Sequence, residues 1–170
     1  MEEFFENELV TKFEEMIENS EELYFDTEEY EDIIIYYLEM GDISFAETAV
    51  RYALNLHPDS LEIKIKKFEV LLELENYTLA KELMDELKES SMESTDFLVC
   101  CAKYYSNLGN PRRAIEYCEA ALKLEEEENF LHNFMADEYV NLEDPFTALK
   151  HYQLALSFEH NDDYVLENIM

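Results

Sequence analysis

The stretch G-D-I-S-F-A-E-T-A-V-R-Y-A-L-N-L-H-P, residues 41–58, decides the fold. It holds one of the chain's two glycines and one of its three prolines. Glycine suits a turn that needs a positive φ, and proline suits the end of a helix. Between them Ala46, Ala49, Val50, Ala53, Leu54 and Leu56 recur at helical spacing. Small residues on such a face let a second helix come close. The stretch therefore reads as a turn followed by the second helix of a helix–turn–helix unit.

The unit repeats. With Gly41 at position 15 of a 34-residue frame, the units start at Thr27, Leu61, Thr95 and Asn129. Position 20 is then Ala46, Ala80, Ala114 and Ala148. Position 16 is Asp42, Asn76, Asn110 and Asp144, all turn or helix-capping residues. Position 11 is Tyr37, Leu71, Tyr105 and Tyr139, and position 14 is Met40, Leu74, Leu108 and Leu142. Four units stay in register with no insertion, which is the signature of a repeat architecture. The boundaries agree. Asp26 with Glu29, Ser44 with Glu47 and Asp59 with Glu62 read as capping boxes. In the last two units the second helix opens on Asn110-Pro111 and Asp144-Pro145, with proline where its missing N–H costs nothing.

This pattern resembles the tetratricopeptide repeat, and the resemblance covers residues 27–162 without a gap. Departures are local. The small residue of position 8 is Ile34 and Phe68 in the first two units and Ala102 and Ala136 in the others; the late proline survives only as Pro58. The resemblance implies an all-α, right-handed α-solenoid of four helix–turn–helix repeats (27–60, 61–94, 95–128, 129–162), with an N-terminal helix and a partial C-terminal helix.

Residues 1–26 precede the register. Phe5, Leu9, Phe13 and Ile17, with Phe4 and Met16 beside them, predict an amphipathic helix over about residues 3–18 that caps the first repeat. Leu23, Tyr24 and Phe25 are expected to tuck under that repeat. After Asn161-Asp162, residues Tyr164, Val165, Leu166, Ile169 and Met170 read as the start of a further helix with no partner. The expectation is either the N-terminal part of a longer protein, or a last helix packing on another chain, so that residues 164–170 could join copies into a homo-oligomer.

Composition narrows the function. The 42 acidic and 12 basic residues leave a net charge of −30. Nucleic acid and anionic membrane would be repelled by most of this surface, so neither is expected as a partner. The first residues lack the positive and apolar regions of a signal peptide, and three cysteines do not make a disulfide framework. A cytoplasmic location is expected. The acidity, the reduced cysteines and the lack of targeting resemble soluble bacterial proteins of the repeat family.

In proteins of the family, positions 2, 5, 9, 12 and 13 of each first helix line a concave groove for a peptide or helix. Carried over, these are Glu28, Glu31, Ile35, Leu38 and Glu39, then Glu62, Ile65, Glu69, Leu72 and Glu73. The third unit contributes Asp96, Val99, Lys103, Ser106 and Asn107, and the fourth Phe130, Asn133, Asp137, Val140 and Asn141. Eight acids face one base. Members that grip a C-terminal carboxylate use Lys and Asn where this chain has Glu31, Asp32 and Ile35. The expected partner is the reverse, a protein or peptide with basic residues flanking an apolar anchor. No cofactor, metal or catalytic residue is expected. Cys101 and Cys118 fall at packing positions, Cys100 has no partner at knuckle spacing, and the four histidines show no helical metal-binding spacing.

Overall fold

A computed structural model describes the backbone of residues 2–20, 23–124 and 129–167, and the side chains of 8–20, 23–124 and 129–157. Among the described residues there are nine helices and no strand. They are α1 (Glu2–Asn19), α2 (Thr27–Glu39), α3 (Ile43–Leu56), α4 (Leu61–Glu73), α5 (Tyr77–Ser91), α6 (Thr95–Asn107), α7 (Pro111–Ala121), α8 (Asn129–Asn141) and α9 (Pro145–Glu167). The expected all-α arrangement of consecutive helix pairs is what forms. The helices fall into two compact units, Met1–Lys88 and Glu89–Met170.

The same turn closes all four pairs. Position 15 adopts a left-handed conformation each time, with φ of 71° at Gly41, 54° at Glu75, 69° at Gly109 and 59° at Glu143. The N–H of position 16 then bonds the carbonyl of position 11: Asp42 to Tyr37 (2.8 Å), and Asn76 to Leu71, Asn110 to Tyr105 and Asp144 to Tyr139 (each 2.9 Å). This is the Schellman ending, which satisfies carbonyls that the helix leaves orphaned. The side chain of position 16 immediately caps the second helix. Asp42 accepts from the Phe45 N–H at 3.2 Å, Asn76 from Leu79 at 3.3 Å, Asn110 from Arg113 at 3.3 Å and Asp144 from Thr147 at 3.1 Å. One residue thus ends one helix and starts the next.

Two boundaries differ from expectation. The Asp26–Glu29 capping box forms in full. Ser44, however, lies inside α3, because Asp42 already caps it. At α4 the cap is Ser60, whose hydroxyl accepts from the Ile63 N–H at 3.2 Å, and not Asp59. At α3 the Asp42 carboxylate already takes the Phe45 N–H, and at α4 the shorter Ser60, on an extended backbone, sits one residue nearer the helix than Asp59.

In the first unit α1 packs on α2, which packs on α3 and α4. Phe13, fully buried, is the centre of an aromatic cluster with ring centroids 5.9 to 6.4 Å from Phe25, Tyr30, Tyr37 and Tyr52. Leu9, Val10 and Met16 complete the buried face of α1, while Ile17 is half-buried. The side chains of Phe4 and Phe5 lie outside the described residues. Of the connector, only Phe25 tucks in; Tyr24 is 73% exposed and Leu23 is exposed too. Phe25 is the residue whose ring meets Phe13 and Tyr30, with centroids 6.2 and 5.4 Å away, while the Tyr24 ring lies against His57. Nε2 of His57 donates to the Phe25 carbonyl at 2.9 Å and pins the connector to the end of α3.

In the second unit α6 packs on α7, α7 on α8, and α8 on α9. Leu98, Ala102, Cys118, Ala121, Leu131 and Met135 form its buried centre. The expected break after Asp162 does not occur. With no glycine or proline after Pro145, nothing stops the helix, and α9 runs unbroken to Glu167. The side chains of Tyr164, Val165 and Leu166, and all of Ile169 and Met170, lie outside the described residues.

Candidate functional site

The expected groove positions divide between the two units. On the first unit α2 and α4 lie side by side. Glu28, Glu39, Glu62 and Glu73 are exposed there, and Glu31 and Glu69 are half-buried. Glu69 is 3.8 Å from Lys66 of its own helix. The Glu62 carboxyl is held below the usual carboxylate range, first by its own backbone N–H and then by the Ser60 hydroxyl, which donates to it at 2.9 Å. Ile35 and Leu38 are half-buried and keep some surface among these acids. Ile65 and Leu72 do not. They are 6% and 3% exposed and belong to the packed interior. Their spacing placed them on the α4 face, but that face is wholly used in packing at these two points.

On the second unit the corresponding positions of α6 and α8 carry little charge. Asn107, Asp137 and Asn141 are exposed, whereas Val99, Lys103 and Asn133 are half-buried. The Asn133 amide donates to the Asn129 side chain at 2.9 Å. Asp137 accepts a hydrogen bond from the Tyr152 hydroxyl on α9, which raises the Tyr152 pKa. Asp96 is exposed and Ser106 half-buried. Ser106 donates to Glu138, a residue outside the expected set and only 3% exposed. Phe130 and Val140 are about half exposed.

Three groupings escape a reading by local spacing. His132 and His151, 19 residues apart, bring their Nδ1 atoms to 3.1 Å. One ring must donate and the other accept, so the accepting ring is neutral and the two cannot both be protonated in this arrangement. Burial lowers both pKa values, and His132 lowers that of His151 further, against a small opposing pull from Glu119. The pair sits at positions 4 and 23, which face each other inside one repeat, so the register could have found it. Cys118 is buried with Glu138 and Glu119 nearby, and desolvation first, then those carboxyls, push its thiol up to about 12. That is a packed thiol with little thiolate character. All three cysteines are buried and unbridged. Among the described residues no group of three or more His, Cys, Asp or Glu could hold a metal ion.

The third grouping is a cavity of about 560 Å³ between α3 and α4. Val50, Leu54, Val70 and Leu71 form its apolar part, and Glu47, Thr48, Arg51, Asn55 and Lys67 its polar part. None of the described helices is long and apolar enough to cross a membrane.

No protein-family model matches this chain, and no curated protein matches it. Solved structures do. The chain is 20% identical to MamA AMB-1 at a TM-score of 0.67, over 89% of this chain and 90% of that one. It is 23% identical to MamA 41-end from Desulfovibrio magneticus RS-1 at a TM-score of 0.65, over 81% and 78%. A MamA MSR-1 structure gives 21% identity and a TM-score of 0.60 over 81% and 79%. MamA is a tetratricopeptide-repeat protein. With eight of the described helices paired through four turns of one kind, the present chain has the tetratricopeptide-repeat fold.

Proposed function

We propose that the chain is a non-catalytic protein-interaction scaffold whose recognition face is the α2–α4 surface of the first unit. The observation that carries this reading is chemical. Four exposed and two half-buried glutamates share α2 and α4 with the partly exposed side chains of Ile35 and Leu38. Such a surface suits an extended peptide or helix with an apolar anchor and lysine or arginine on either side. Glu62, whose pKa is lowered first by its own backbone N–H and then by Ser60, holds its charge further as pH falls. The second unit offers Asn107, Asn133 and Asn141 at matching positions, groups that can hydrogen-bond a peptide backbone but do not select a charge.

The test is fluorescence anisotropy with a labelled Leu-containing peptide flanked by lysines, beside a matched peptide flanked by glutamates, at low and moderate salt. The lysine peptide should bind at least about tenfold more tightly, a difference of about 1.4 kcal/mol. Salt should narrow the gap. The triple change Glu28→Gln, Glu39→Gln, Glu73→Gln should remove it. Equal affinity for the two peptides would sink the proposal.

A second reading, self-association, draws on α9. Phe146, Leu149 and Leu156 are each more than half exposed and lie along one side of that helix. Sedimentation of the wild type beside Leu149→Glu, Leu156→Glu distinguishes the readings, since a monomeric wild type rules out assembly.

A further inference from the structure

The four repeats act as internal controls for one another, and two positions stand out. At position 7 the first, third and fourth units place Ile33, Cys101 and Met135, all buried. The second unit places Lys67 there. At position 25 the other units carry Asp85, Glu119 and Gln153, while the first carries Arg51. Both departures are from neutral or acidic to basic, and both side chains line the same cavity between α3 and α4. Lys67 thus brings an ammonium group to a position that is apolar in the other three repeats.

The charge of the two residues is unusual for this molecule. Residues 1–88 hold 25 acids and 7 bases. Four of those bases, Lys12, Lys64, Lys66 and Lys81, form ion pairs with carboxylates. Among the described residues Arg51, Lys67 and Lys88 form none, although the Glu47 carboxylate lines the cavity with the first two. The Arg51 guanidinium instead lies over the Tyr52 ring, 5.5 Å from its centroid. In a chain with this excess of carboxylates, two cations that line one cavity without a carboxylate partner are set up for an anion from outside. Thr48 and Asn55 add hydrogen-bonding groups, and the apolar part of the cavity calls for more than a bare ion. A volume of this size is in the range of small-molecule sites.

We propose that the cavity between α3 and α4 binds a small organic anion, with one carboxylate or phosphate head between Arg51 and Lys67 and a compact apolar body against Leu54 and Val70. The site is separate from the α2–α4 face and does not depend on a protein partner. Arg51 provides a planar, bidentate grip on the head, and Lys67 a point charge.

Backbone amide shifts of the full chain, followed by NMR during titration, test this with three matched probes: 1-naphthylacetate, 1-naphthyl phosphate and neutral 1-naphthylacetamide. The expected result is saturable shifts at residues 47–55 and 67–71 with one or both anions, at least about tenfold weaker binding of the amide, and a comparable loss in Arg51→Gln, Lys67→Gln. Whichever anion binds more tightly identifies the head. Both substitutions lie at a solvent-accessible rim, and unchanged shifts elsewhere in the variant spectrum establish that it folds. Amide and anions binding alike, wild-type affinity in the double variant, or no saturable shift with any probe each overturns the proposal.

Discussion

The two units use one repeat frame to opposite chemical ends. In the first, the interior is aromatic and aliphatic around Phe13, while acids are kept on the α2–α4 surface. In the second, three of the ten corresponding positions are amides and three are charged, and polar groups lie buried or half-buried: Glu138 with Ser106, the His132–His151 pair and the three cysteines. Position 10 shows the exchange directly. It is Tyr36, Val70 and Tyr104 in the first three repeats and Glu138 in the fourth. The turns and caps are the same in both units, so backbone hydrogen bonding sets the frame and the side-chain slots are free to carry different chemistry.

The largest expected effect breaks the aromatic interior. Phe13→Ala removes the ring shared by four aromatic neighbours and should cost about 3–5 kcal/mol in urea denaturation. Next comes the polar interior of the second unit. Ser106→Ala leaves the buried Glu138 carboxyl short of a hydrogen bond and should cost about 1–3 kcal/mol. Replacing both partners, Ser106→Ala with Glu138→Met, should recover most of that loss, because the polar group then no longer needs a partner. If the double variant is no more stable than Ser106→Ala alone, Glu138 is held by more than this contact.

The histidine pair sharpens the comparison through pH. Its folded pKa values lie below the ordinary histidine value. The unfolded chain therefore takes up protons first as pH falls through about 6.5. The stability contributed by the neutral pair is fully present above that pH and is lost as pH falls toward the depressed folded values. Thermal melts at about pH 7.5 and 5.5 should show a decline that His151→Gln reduces, whereas no such histidine pair occurs among the described residues of the first unit. The smallest effect tests what the units share. Glu75→Gly and Glu143→Gly relieve a side chain held at positive φ and should each stabilise by about 0.5–1 kcal/mol. The same exchange at Glu73, inside α4, should destabilise by a similar amount.

The frame was legible from sequence because its signals are local. Asp26, Asn110-Pro111 and Asp144-Pro145 mark boundaries through their own backbone preferences, and the alanines at position 20 mark close helix approach. Glu75 and Glu143 were legible only through the register, since neither residue type favours the left-handed conformation it adopts. The exposure of the proposed recognition face was legible in part. The acids stood where solvent reaches them, but whether Ile65 and Leu72 were buried depended on tertiary packing that spacing does not report. The end of α9 was misread because Asn161-Asp162 resembles a capping signal, and without glycine or proline that signal was too weak to end a helix. Arg51 and Lys67, and His132 and His151, are far apart in the chain and become visible only when repeats are laid over one another.

The four Schellman turns also set where the protein can change length. An α-helix advances about 100° per residue, so one residue added between positions 14 and 16 would swing the following helix by more than a quarter turn. Ala46, Ala49 and Ala53 would then leave the seam they fill, and the asparagine or aspartate of position 16 would no longer cap the helix it introduces. The connection after each second helix is under no such constraint. It is built differently at His57–Ser60 and at Met92–Ser94. Insertions, tags and proteolytic nicks should therefore be tolerated between repeats and rejected within them. The natural unit of change in this molecule is a whole helix pair.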